Sequence, residues 1–138
     1  MKAIIFFAAL LVVGMSVTVN IRNNCGKPIS ICGGPRINPR ASASMHFGDH
    51  QQAVRITADK CGGGASLAEF SFGKGGRDWY DGSLIEGFNY PISIRGNCGG
   101  VSCPKFPSPR CYNTHADDLK PGLSLSCPQG GSWTVTFC

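Results

Sequence analysis

Val17, Val19 and Ile21 alternate with Thr18, Asn20 and Arg22, the period-two pattern of a strand with one buried face. Asn23-Asn24 turns the chain into Cys25. A short strand is expected from Ile29 to Cys32, and an exposed loop through Gly33-Gly34-Pro35 to Pro39. Val54, Ile56 and Ala58 mark another strand, closed by Cys61 and the Gly62-Gly63-Gly64 break. Leu67 to Phe72 and Asp78 to Ile85 are strand-like, and Gly73, Gly75 and Gly76 between them predict a β-hairpin. Leu123 to Cys127 and Ser132 to Cys138 read as a last hairpin turning at Gln129-Gly130-Gly131, with Trp133, Val135 and Phe137 on one face. No segment repeats and no linker divides the chain, so one all-β domain is expected.

The start of the chain breaks this pattern. Met1-Lys2 precedes an apolar run from Ile4 to Val13, and Gly14-Met15-Ser16 then offers small residues for cleavage. This is the layout of a secretory signal peptide over residues 1–16, leaving a domain over 17–138. The run is shorter than the ~18 apolar residues that span a bilayer, so the product is expected outside the cell and not as an integral membrane protein.

Composition narrows the class. Charged residues are only 15% of the chain, and 19 glycines and 9 prolines exclude long helices. The 13 Lys and Arg outnumber the 8 Asp and Glu, but they are scattered. The one basic cluster, Lys105 to Arg110, is interrupted by Pro104, Pro107 and Pro109, which fits a solvated loop better than a nucleic-acid surface. All 8 cysteines follow the leader. Their even number in an exported chain points to disulfides, and no Cys-x2-Cys pair suggests zinc. Spacing alone does not choose among the pairings. His46 and His50 stand four apart beside Gly48, where a helix is disfavoured, so they read as surface histidines and not as metal ligands.

The hairpin carries the candidate chemistry. With its turn centred on Gly75, Glu69 and Asp81 would oppose each other across two strands, their Cβ atoms about 5 Å apart. The alternative is a slipped register that leaves two solvated acids. Glu86 adds a third carboxylate in a turn near the end of the same strand, and Asp117-Asp118 adds a pair farther on. Trp79, Tyr80, Phe88 and Tyr90 could supply apolar faces to a ligand, although strand alternation buries every second one.

Leu67-Ala68-Glu69-Phe70-Ser71, followed by Asp78-Trp-Tyr-Asp81-Gly-Ser83-Leu-Ile-Glu86-Gly87-Phe88-Asn89-Tyr-Pro91-Ile, resembles the signature of thaumatin-like, pathogenesis-related proteins. Val19-Asn-Ile-Arg-Asn-Asn-Cys25 resembles that family's first strand and cysteine, and Trp133-Thr-Val-Thr-Phe-Cys138 its last. The resemblance implies an antiparallel β-sandwich stapled by Cys25–Cys138, Cys98–Cys127, Cys103–Cys111 and, as remaining partners, Cys32–Cys61. Only Pro104 to Arg110 separates Cys103 from Cys111, where larger members carry a second domain, so a small form with a shallower groove is implied.

The resemblance also implies an acidic cleft for β-1,3-glucan of fungal walls. Glu69 and Asp81 match cleft carboxylates, Glu86 stands where Asp is usual, and Asp117 or Asp118 matches the late acid. The family's cleft arginine, three residues before the Cys61 position, is Ala58 here. Arg55, three residues earlier still, would by parity point to the other face of its strand. Apart from the resemblance, His115 lies beside Asp117 and could orient it, but by itself it reads as a solvated side chain. The expected function is that of a secreted, antifungal defence or host-interaction protein, a monomer without cofactor or metal, which binds β-glucan or another wall polysaccharide through Glu69, Asp81, Glu86, Asp117 and Asp118. Two alternatives stand beside it. One is an endo-β-1,3-glucanase using Glu69 and Asp81, since glycoside hydrolysis needs two carboxyl groups about 5 to 5.5 Å apart for retention. The other is a scaffold that inhibits a foreign enzyme or perturbs membranes.

Overall fold

The computed structural model describes residues 15–138, so the apolar run of the expected leader lies outside the described residues. Eleven strands form within this span: β1 (Ser16–Asn23), β2 (Ile29–Ser30), β3 (Arg36–Ile37), β4 (Ser42–Gly48), β5 (Val54–Ile56), β6 (Leu67–Lys74), β7 (Arg77–Ser83), β8 (Ile92–Gly96), β9 (Gly99–Cys103), β10 (Leu125–Pro128) and β11 (Trp133–Phe137). A short 3-10 turn, His115–Leu119, precedes β10. One sheet runs β4-β1-β11-β8-β9 and the other β10-β7-β6-β5, while β2 and β3 pair by themselves.

Alternation explains why the two larger sheets stack. Val17, Val19 and Ile21 of β1, Trp133, Val135 and Phe137 of β11, and Ile92 and Ile94 of β8 all turn inward and are buried. Ala68, Phe70 and Phe72 of β6 and Tyr80 of β7 meet them from the other sheet. Trp133 binds the two layers together, with ring centroids 5.4 Å from Phe70 and 4.8 Å from Tyr80. Burying such aromatic side chains contributes about 1.5–3 kcal/mol each. Close approach also needs a missing side chain: a Cβ at Gly82, on the inner face of β7, would lie 2.3 Å from Cys103 Sγ.

The termini of the domain meet inside the five-stranded sheet. β1 and β11 pair in parallel, from Val19 opposite Trp133 to Asn23 opposite Phe137, and Cys25–Cys138 closes a separation of 113 residues just beyond them. Cys32–Cys61, Cys98–Cys127 and Cys103–Cys111 complete the set, the same four pairs the resemblance implies.

Three expectations change. The last two strands do not form a hairpin: β10 pairs with β7 and β11 with β1 and β8, so the turn between them carries the chain from one sheet to the other. Their sequences alternate as a hairpin's would, because alternation records burial and not partners. Arg36–Ile37 forms β3 inside the stretch expected to be loop, since Ile37 finds a buried place opposite Ile29. β4, β8 and β9 also form. In β4, Ala43, Met45 and Phe47 face inward at an edge and stay partly exposed, so the apolar signal is weak.

Candidate functional site

The β6–β7 hairpin turns at Gly75-Gly76, with φ of 63° and 73°. Positive φ at both central residues is what a tight type I′ turn demands, and glycine meets it without steric cost. Counted from that turn, Glu69 would miss Asp81 by one position. A bulge between Ser71 and Lys74 absorbs the extra residue, and Glu69 falls directly opposite Asp81. Asp78 maintains the bulge. Its buried carboxylate accepts from Gly73 N–H at 2.8 Å and from Gly130 N–H at 3.2 Å, tying the hairpin to the β10–β11 turn.

The same ladder extends to β5, where Arg55 lies opposite Glu69. Arg55, Glu69 and Asp81 therefore form one row on the outer face of the four-stranded sheet. This corrects the expectation that Arg55 points away. The parity itself holds, since Ala58 is buried like Val54 and Ile56 while Arg55 is exposed; what fails is the premise that position 58 faces the groove. Ala58 instead is buried, in an isolated bridge with Ile31. The signal lay in the alternation itself, since Val54 and Ile56 face inward and leave Arg55 outside. The Arg55 Nη2 ion-pairs with Glu86 Oε1, beyond the end of β7 in the following turn.

A groove crosses this row. One part, about 620 Å³, is lined by Glu69 and Asp81 together with Ser71, Lys74, Trp79 and Ser124. The other, about 370 Å³, shares Glu69 and is bounded by Arg55, Glu86, His115 and Asp118. Glu69 and Asp81 thus border the first hollow and Glu69, Glu86 and Asp118 the second, with Glu69 common to both. Asp117 does not join them. It is buried, with Oδ2 accepting from the Asn113 and Thr114 N–H groups at 2.7 and 3.0 Å and Oδ1 facing Lys120 Nζ at 2.5 Å. Lys120 and these two amides lower its pKa to about 2. Its carboxylate holds the 3-10 turn in place and so presents Asp118. His115 is largely solvated, and the carboxylate it approaches, at 3.8 Å, is that of Asp118 and not Asp117.

Electrostatics single out Asp81. Burial, then the charge and hydrogen bonding of Glu69, then the charge of Asp118, push its pKa up to about 8. Its Oδ1 is buried without a hydrogen-bond partner in the protein. Tyr112, in a parallel bridge to Ser83, was not among the expected site residues. Its phenol is raised by burial and by Asp81, Asp118 and Glu69, which puts a further hydroxyl among the acids. No local motif marks it. Of the aromatics, Tyr80 and Tyr90 are buried, Phe88 packs on the core, and Trp79 alone of the four lies in the groove beside the acid pair. Among the described residues, no group of three or more His, Cys, Asp or Glu is placed to hold a metal ion. No helix there is long and apolar enough to cross a membrane.

Comparison with known proteins gives this site a setting. Pathogenesis-related protein 1A/1B of Hordeum vulgare is 30% identical over 155 aligned positions, covering 88% of this chain and 87% of the relative. Thaumatin-like protein PWIR2 of Triticum aestivum is 29% identical over the same shares. A shorter match of 69 residues, 46% of this chain and 28% of the relative, is 48% identical to a glucan endo-1,3-beta-glucosidase of Prunus avium. Among solved structures, the thaumatin-like xylanase inhibitor TLXI matches with a TM-score of 0.58 at 21% identity, over 87% of this chain and 98% of that one. The protein elicitor MoHrip2 from Magnaporthe oryzae matches with a TM-score of 0.61 at 16% identity, over 88% and 98%. At those identities the likeness is one of fold. No protein-family model matches the chain. The cereal relatives match along nearly the whole domain: the chain belongs to the thaumatin-like family of pathogenesis-related proteins.

Proposed function

We propose that this protein is exported and acts in defence or host interaction by binding a β-linked cell-wall glycan, β-1,3-glucan first, in the groove over β5, β6 and β7. One observation carries the reading: Glu69 and Asp81 are directly paired in a concave site, and Asp81 has a pKa of about 8. At neutral pH Asp81 can donate an O–H while Glu69 accepts, and a sugar hydroxyl both donates and accepts. Asp118 and the Tyr112 hydroxyl extend the polar rim. Eight cysteines joined in four bridges suit an oxidising exterior. The test is sedimentation with insoluble β-1,3-glucan against an albumin control. Retention should fall in Glu69→Ala and Asp81→Asn; retention no better than albumin ends the glycan reading.

A second reading, endo-β-1,3-glucanase, is favoured by the same facing carboxyls, one of them kept protonated as a general acid requires. The partial match to a protein named glucan endo-1,3-beta-glucosidase supports it as well. Against it stands the openness of the groove, which leaves little means to exclude competing water. Reducing sugar released from laminarin by the wild type, and lost in Glu69→Gln, would put hydrolysis ahead of binding.

A further inference from the structure

The chain has two tryptophans in opposite settings: Trp133 is 1% exposed in the core, and Trp79 is 36% exposed in the groove. Trp79 is anchored there. Its indole N–H donates to the Lys74 carbonyl at 3.0 Å, folding the ring over the hairpin turn. Ser71 is its direct partner on β6 and Ser126 on β10. The wall beside it is completed by Ala53, Gly75 and Ser124, side chains too short to cover an indole. Ala53 also holds φ 53°, a backbone state that costs a residue with a Cβ. Thus the polar edge of the ring is already satisfied within the protein, and its apolar surface borders a cavity of about 620 Å³.

The geometry points to Trp79 as the platform of a saccharide-stacking subsite, which takes one pyranose ring of a β-linked glucan whose hydroxyls reach Glu69 and Asp81. This rests on the glycan reading above and adds to it the residue that anchors the sugar face. An all-equatorial pyranose has flat C–H surfaces and hydroxyls in its plane. The surface matches an indole, and the edge matches a carboxyl pair. Asp81 lies two residues from Trp79 on the same face of β7, roughly 7 Å along the strand, about the breadth of one sugar. A purely apolar ligand fits worse, because it would strip water from Glu69, Asp81 and Lys74 without replacing their hydrogen bonds. The ring is also immobilised before the ligand arrives, so little side-chain entropy is lost on binding.

The test uses laminarihexaose with wild type, Trp79→Ala, Trp79→Phe and Glu69→Gln, read by calorimetry and by tryptophan fluorescence. Near-UV circular dichroism from Trp133 checks that each variant is folded. Trp79→Ala should weaken binding roughly tenfold and Trp79→Phe less than about threefold, since stacking survives in a smaller ring. The fluorescence change on binding should vanish in Trp79→Phe, because Trp133 is sealed in the core. Unchanged affinity in Trp79→Ala with weakened Glu69→Gln would overturn the stacking subsite and leave the acidic groove standing. Trp79→Phe as weak as Trp79→Ala would also overturn it, by assigning the loss to the ring's anchoring role. A wild type that does not bind laminarihexaose would overturn both.

Discussion

Arg55 ion-pairs with Glu86 across the groove, joining β5 to the turn that follows β7. Both side chains are about half exposed, at 49% and 48%, so solvent screens the pair and its contribution to stability is at most about 1 kcal/mol. Glu86→Gln should therefore leave the unfolding midpoint nearly unchanged in a denaturant titration. With its charge already matched by Arg55, Glu86 has less to offer a ligand than Glu69. Glu86→Gln should reduce sedimentation with glucan less than Glu69→Gln does.

Asp81 makes stability depend on pH in a direction opposite to that of most carboxylates. Its folded pKa of about 8 lies above the ordinary 3.8, so between those values the native state holds a proton that the unfolded state has released. Stability accordingly falls as pH rises through that window and levels off above about 8. Asp81→Asn removes the penalty. Its unfolding free energy should match wild type near pH 4 and exceed it at pH 8.5, by an amount on the order of a few kcal/mol. A constant difference across pH would show that Asp81 titrates normally. Glucan retention by the wild type should also decline as pH passes about 8, where the donor O–H is lost and a second negative charge faces Glu69.

Asp78 should matter more to the fold than the acids of the groove. It is fully buried and satisfies two amides in separate turns, Gly73 and Gly130. Asp78→Ala leaves both N–H groups without an acceptor, at about 1–3 kcal/mol for each. Chemical denaturation should show a loss of about 2–6 kcal/mol. Asp78→Asn keeps an acceptor oxygen and should recover part of it.

Cys25–Cys138 spans 113 residues and joins the ends of the central pair β1 and β11. Removing it as the double variant Cys25→Ser/Cys138→Ser should cost about 2–5 kcal/mol, chiefly by freeing the unfolded chain. Removing Cys103–Cys111, with a separation of 8 residues, should cost less on the same entropic argument. Reversing that order in denaturant titrations would show that native packing around the short bridge outweighs loop entropy.

The sequence alone determined which side chains face outward on β5, β6 and β7. Val54-Arg55-Ile56, Ala68-Glu69-Phe70 and Tyr80-Asp81-Gly82 each place one polar residue between two inward positions, and a strand's period of two admits only one outer face. It also placed Glu69 and Asp81 on facing strands of one hairpin, whereas their direct pairing depends on the bulge between Ser71 and Lys74, which the glycine turn does not specify. The family signature was legible in the same stretch. Partners that are distant along the chain were decided only by the tertiary structure. β10 and β11 alternate alike yet join different sheets, and Arg55 reaches past its ladder neighbour Glu69 to Glu86. Of two adjacent aspartates, Asp117 is consumed by amides and Lys120 while Asp118 is left for the groove. Periodicity records how deeply a residue is buried, whereas the choice of partner is made by the surfaces that the folded layers bring within reach.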